Sequence, residues 1–170
     1  MPVETIRELY EYNRWANDRV MNVAVGLSDE QLDRPFDMGS GSLRKTLRHI
    51  YGAERFWYER VKGPEYGAFP RSRDVSTASA LFDAACRLAT ARTTWLDSLD
   101  ASDLDSPATY TLDNGVTHTD RLGDILLHVC NHDTHHRAQA LNMLRQMGAV
   151  VPEIDYIEWI REIAEKSETV

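Results

Sequence analysis

Four long stretches of this chain repeat their apolar residues at intervals of three and four, which commits most of the sequence to helices that must bury one face against another. Between residues 4 and 25 the stripe is Ile6, Leu9, Tyr10, Asn13, Ala16, Asn17, Val20 and Ala24, and Gly26 stops it. Ser28 and Gln31 begin a short capping-box pattern, Pro35 and Gly39 break the chain again, and Ser42 caps a predicted second helix running to about Lys62. Its apolar face is Leu43, Thr46, Ile50, Ala53, Trp57 and Val61. A third helix, capped by Ser76 or Thr77 and ending near Leu99, is expected to bury Leu81, Phe82, Ala85, Leu88, Ala89, Leu96 and Leu99. A fourth is predicted from Thr119 or Asp120 to Gly148, and a shorter fifth from Pro152 to Glu165.

Two connections carry a pattern of their own. Gly63, Pro64, Gly67 and Pro70 make residues 63–76 long for a loop in a compact domain, hence a candidate functional loop. Between Thr109 and Thr119, Tyr110, Leu112, Val116 and His118 alternate around Asn114-Gly115, which predicts a small hairpin closed by a two-residue turn. The expected class is all-α: a four-helix bundle with a hairpin before the fourth helix and a C-terminal helix, one domain over residues 1–170.

Composition narrows the function. No run approaches the ~18 apolar residues of a membrane span, and Glu4, Arg7 and Glu8 stand where a signal peptide is apolar, so neither membrane insertion nor secretion is expected. Cys86 and Cys130 form no CxxC pair and no disulfide framework, which points to a reducing cytoplasm. A net charge of -8 repels phosphate backbones, so a nucleic-acid partner is not expected.

Histidine is the informative residue. Five of the six fall between positions 118 and 136, and His128, His132, His135 and His136 share the predicted fourth helix. At about 100° per residue, Leu122, Val129, Ala140 and Met147 draw the apolar centre of that helix; His136 falls near it and His132 about 40° away, with His128 and His135 at the border. An i, i+4 pair points two imidazoles one turn apart in the same direction, the arrangement by which a helix offers two nitrogens to one metal ion. His49, mid-helix on the face of Ala53 and Phe56, supplies a third. Three nitrogen ligands leave positions open to water or substrate, as in catalytic zinc sites. The competing reading is a set of core histidines satisfied by ordinary hydrogen bonds.

The fourth-helix segment His128-Val129-Cys130-Asn131-His132-Asp133-Thr134-His135-His136-Arg137-Ala138-Gln139 resembles the DinB/YfiT-like superfamily. Tyr12-Asn13-Arg14-Trp15-Ala16-Asn17, Leu47-Arg48-His49-Ile50 and Pro152-Glu153-Ile154-Asp155-Tyr156 support the resemblance, which covers nearly the whole chain. It implies a bundle of up-down-down-up order and one divalent metal held by three histidines, which map onto His49, His132 and His136. The family's assigned activities are thiol-linked, such as mycothiol-dependent maleylpyruvate isomerase and bacillithiol transferases. Asp133 and Ala138 depart from the residues most common at those places.

Other residues have two readings each. Asp133 follows His132 as the glutamate follows the first histidine of HExxH zincins, so it is a candidate base for metal-activated water; equally, it is an acceptor behind the ligands or a partner for a nearby arginine. Asn13 and Asn17 lie on an apolar stripe and either orient a substrate or bridge helices. Arg92 interrupts the third stripe between Leu88 and Leu96, where it either holds a carboxylate-bearing substrate or pairs with a buried acid. The expectation is an enzyme in which His49, His132 and His136 hold Zn2+ or Ni2+ and activate a small thiol for attack on an electrophile. Asp133 and Arg92 are its further candidate residues, and a homodimer its assembly. A hydrolase using Asp133 as base, and a non-enzymatic metal-stabilised dimeric bundle, are the alternatives.

Overall fold

The computed structural model describes residues 2–62 and 69–168. Four long helices carry the chain: α1 (Val3–Val25), α3 (Leu43–Lys62), α4 (Ala78–Asp97) and α6 (Leu122–Gln146). Short helices α2 (Asp29–Asp33) and α5 (Ala101–Asp105) sit in the connections, α7 (Tyr156–Glu168) closes the chain, and β1 (Pro107–Thr111) pairs antiparallel with β2 (Thr117–Arg121). The helix starts follow local chemistry. Ser28 and Gln31 form a reciprocal capping box, Thr77 accepts from the Ala80 N–H, and Asp100 with Asp103 caps α5, a turn of helix too short to show in the periodicity.

Contacts along the helices set their directions. Arg7 donates to the Leu96 and Leu99 carbonyls while Arg92 lies over the Tyr10 ring, so α1 and α4 are antiparallel. Tyr10 donates to the Leu126 carbonyl and Arg137 to Asn17, so α1 and α6 are parallel. His49 faces His136 and Trp57 faces His128, making α3 and α6 antiparallel. Glu54 meets Arg92 and Tyr58 meets Trp95, making α3 and α4 parallel. The order is up-down-down-up, with α1 opposite α3 and α4 opposite α6. A parallel step from α3 to α4 obliges the chain to travel back a helix length, roughly 30 Å for 20 residues, which is why this connection is long. Of the candidate loop 63–76, residues 63–68 lie outside the described residues, and the remainder contains a 3-10 turn at Ser72–Asp74.

The core is two apolar clusters with a polar layer between them. Val20, Leu43, Leu47, Leu81, Leu88 and Leu144 belong to one cluster; Ile6, Tyr10, Leu96, Leu122, Leu126 and Val129 belong to the other. Along α1, α4 and α6 the step from one to the other passes buried polar residues, Asn13, Arg92, and Asp133 with Arg137, and Glu54 of α3 joins them through Arg92.

The sequence expectations need local correction. Strand β2 runs on to Arg121, because Thr109 with Thr119 and Thr111 with Thr117 pair their hydroxyls across the ladder, and α6 begins three residues later than the earliest predicted start. Residues 112–116 separate the strands, so the turn is wider than two residues; the Gly115 N–H closes it onto the Leu112 carbonyl with Gly115 at φ 82°. The segment after Pro152 is not helical, its Ile154 carbonyl accepting from the Tyr12 hydroxyl, and α7 starts only at Tyr156. Tyr12 and Trp15 then seat α7 on the outside of α1, through the Trp159 ring and the Glu162 carboxylate. Arg44 and Arg48 tie α3 to neighbouring segments through Asp33 and the carbonyls of Val75 and Ser76. No helix among the described residues is long and apolar enough to cross a membrane.

Candidate metal centre

Three imidazoles meet where the middle of α3 crosses the middle of α6. His49 Nε2 lies 3.1 Å from His136 Nε2 and 3.0 Å from His132 Nε2, and one ring nitrogen from each residue falls within 4.8 Å of the others. His132 and His136 are successive turns of one helix, their ring centroids 4.4 Å apart. His49 is exposed and the other two are half-buried.

The outer nitrogens decide what the inner ones offer. His136 Nδ1 lies 2.8 Å from Gln139 Oε1, a carbonyl oxygen that only accepts, so the ring proton sits on Nδ1 and the Nε2 lone pair points inward. His132 Nδ1 faces Asp133 Oδ1 at 3.5 Å with the same polarity. Two lone pairs therefore converge on His49 Nε2, which carries one proton at most. A cation shared by all three nitrogens resolves that conflict, and ligand bonds of about 2.0–2.1 Å around a tetrahedral ion suit nitrogens at this spacing. The residues present fit a divalent transition ion. Burial, and then the neighbouring imidazoles, hold His49 and His132 below the ordinary histidine range; His136 is lowered too, burial outweighing the Gln139 contact. The rings are thus in the neutral, ligating form at neutral pH.

Gln139 is itself positioned. Its amide nitrogen is 3.1 Å from His135 Nε2, and the loop before α3 closes over it at Gly39, φ 54°, where a Cβ would stand 2.8 Å from Gln139 Oε1. Only glycine makes that approach without strain.

Behind the histidines lies the polar layer. Asp133 Oδ2 accepts from Asn13 Nδ2 at 2.6 Å and from Asn17 Nδ2 at 3.3 Å, while Arg137 Nη1 donates to Asn13 Oδ1 at 2.6 Å and Asn17 Oδ1 at 2.9 Å. Both asparagines are thereby used at both ends of their amides. Arg92 Nη1 stands 2.9 Å from Glu54 Oε1. Burial pushes the Glu54 carboxyl up to about 8, the Asp133 carboxylate adding to the rise and Arg92 opposing it. Burial likewise raises Asp133 against the pull of Glu54, Asn13 and both arginines. A folded pKa above the unfolded one makes a contribution to stability that is full below the unfolded value of about 4.3 and lost as pH rises through about 8. Glu54→Gln is expected to flatten this decline between pH 5 and 9, measured by urea denaturation on metal-free protein; an unchanged slope overturns the assignment.

The open side of the triad is a cleft of about 430 Å³, walled by Arg48, Phe56, Trp57 and His128 beside His49 and His132. A family model described as the DinB family matches residues 1–167. The chain belongs to the DinB family. It is 25% identical over 156 residues to Protein DinB of Bacillus subtilis (strain 168), covering 88% of this chain and 90% of that one. Two solved structures share the fold: a DinB-like protein from Bacillus cereus ATCC 10987, at TM-score 0.70 and 21% identity, covers 91% of this chain and 98% of its own. YfiT from Bacillus subtilis, described as a probable metal-dependent hydrolase with an unusual four-helix bundle topology, aligns at TM-score 0.60 and 17% identity over 86% of this chain and 90% of its own.

In this DinB-family bundle the histidines expected to converge do so, but on the flank of α6. The centre of its buried face belongs to Asp133 and Arg137. Asp133, fully buried, and Arg92, at 3% exposure, lie in the polar layer and not on the cleft wall. His128 flanks the triad, its ring 6.1 Å from that of His132 and 5.5 Å from Trp57, and His118 stacks on Tyr110 at the hairpin surface. Glu54, Arg137 and the supporting role of Gln139 escape the sequence reading. The signal for Glu54 was its place four residues from both Ile50 and Tyr58, on the face that α3 buries.

Proposed function

We propose that this protein is a metal-dependent enzyme that activates a small thiol at His49, His132 and His136 for transfer to an electrophile, or for an isomerisation that proceeds through such an adduct. The convergence of three Nε2 atoms at an open cleft carries this reading. A divalent ion held there, Zn2+ or Ni2+, supplies the Lewis acidity that favours the deprotonated thiol at neutral pH. The chain supplies the setting. Gln139 and Asp133 keep the His136 and His132 protons on Nδ1, Phe56 and Trp57 shield one side of the cleft from water, and His128 takes up the proton released by the thiol. Asp133 is a support for His132 in this reading and not a base, because its oxygens are sealed in the core; Arg92 is engaged by Glu54 and holds no substrate.

A hydrolytic reading draws on the description of YfiT, with water as nucleophile and His128 as base. Protein loaded with Co2+ separates the two. On addition of cysteine, bacillithiol or mycothiol, a sulfur-to-metal charge-transfer band is expected, surviving Asp133→Asn and absent in His136→Ala. No band with any of these thiols, together with an ester hydrolysis abolished by His128→Ala, overturns the thiol reading in favour of the hydrolase.

A further inference from the structure

The histidine cleft continues past Phe56. Gly52, Phe56 and Ser72 line it and also line a second, wider cleft of about 660 Å³ between α3 and the 3-10 turn. The turn comes this close because residue 52 has no side chain: a Cβ there would lie 3.1 Å from Ser72 Oγ. His49, Gly52, Phe56 and Arg60 follow one another at helical spacing along one face of α3, so the two clefts form a single groove.

Its far end is basic in a chain of net charge -8. Arg55, Arg60, Arg71 and Arg73 line it against Glu59 and Asp113. Arg55 is held by Glu59 at 2.9 Å, and Arg60 by Asp113 at 2.7 Å with its guanidinium 3.3 Å from the Phe56 ring centre. The other two are uncommitted. Among the described residues Arg73 has only Asp74 at 3.8 Å, both exposed, and the Arg71 guanidinium has no ion pair or hydrogen bond. Within the wall, Arg55 Nε and Glu59 Oε1 are buried without a hydrogen-bond partner, so its polar capacity is not saturated internally. Two free guanidinium forks beside two anchored ones suit an oxyanion, which they bind in pairs of parallel hydrogen bonds, and they reverse locally a field that otherwise repels anions.

We propose that this cleft is an oxyanion subsite that takes a carboxylate or phosphoryl group of an elongated small molecule whose reactive end lies at the three histidines. The placing of that reactive end rests on the function proposed above; the anion site does not. The rise of α3 puts the anionic group roughly 9 to 16 Å along the groove from His49, the span from Arg55 to Arg60.

Calorimetric titration of the metal-free full-length protein with citrate and with inorganic phosphate, at low salt, tests the subsite without any metal. At least one of the two anions is expected to bind, at least tenfold more weakly to the Arg71→Gln/Arg73→Gln double variant, and unchanged in Arg161→Gln, which removes an exposed arginine from α7. The same binding is expected in His136→Ala, so a failure of the metal reading leaves this result standing. Stronger citrate binding assigns a carboxylate and stronger phosphate binding a phosphoryl group. No binding of either anion to the wild type, equal affinity in wild type and double variant, or an equal loss in Arg161→Gln, overturns the proposal.

Discussion

Replacing His49, His132 or His136 by Ala is expected to abolish transition-metal binding that otherwise reaches about one ion per chain, measured by elemental analysis of protein purified without a nickel column. Each substitution removes one of three converging nitrogens, and neither neighbour on α6 can replace it. His128 is turned toward Trp57 and His135 toward Gln139. Gln139→Ala, which frees the His136 ring without removing a ligand, should weaken binding by about 10 to 100-fold, the usual effect of losing a group that orients a ligand. His118→Ala, remote on β2, should change nothing, and an equal loss there overturns the assignment. The lowered histidine pKa values add a pH signature. Because protons compete less well for rings held below the ordinary range, metal should be retained as pH falls through that range and released only beneath it. Chelation should lower the melting temperature while leaving the helices intact, because the two apolar clusters form without the ion.

Arg137→Met is expected to destabilise the fold by about 3–5 kcal/mol, because it breaks a buried charge network from one side. Arg137 is 1% exposed, and its guanidinium serves Asn13, Asn17 and Thr134 together. Methionine fills the volume but leaves two amide oxygens without donors, and leaves the Asp133 and Glu54 carboxyls sharing Arg92. At about 2–4 °C per kcal/mol for a chain of this size, the melting temperature should fall by roughly 6–20 °C. Arg121→Met is the control. That arginine pairs with Asp105 and Asp124 at the surface, where solvent screening leaves such contacts little weight in stability. Urea denaturation of both variants in metal-free buffer makes the comparison, and an Arg137→Met no less stable than Arg121→Met shows that the layer does not support the fold.

The network has a structural logic that the sequence displays only in part. Asn13, Asn17, Arg92 and Asp133 each stand out as polar residues on apolar stripes, and the readings that treated them as partners for one another describe what they do. Which partner each one takes depends on the neighbours of each helix. Asn13 and Asn17 reach Asp133 because α1 packs beside α6, and Arg92 reaches Glu54 because α3 packs beside α4.

Spacing along the chain by itself determined the four long helices, the hairpin and the i, i+4 histidine pair, since period and turn chemistry are local properties. It placed the hairpin turn, the start of α6 and the start of α7 less well, because cross-strand hydroxyl pairs and the Tyr12 contact to the segment before α7 act between distant residues. Tertiary structure alone decided that the histidines stand on the flank of α6 and that Arg137 joins Asp133 at its buried centre. A helical wheel ranks faces by hydrophobicity, and here a buried network of charged and amide groups occupies the position that hydrophobicity would assign to the core. The same holds for the groove beyond Phe56. Arg71 and Arg73 come from another segment of the chain than Arg55 and Arg60, and only the close approach at Gly52 brings the four to one cleft.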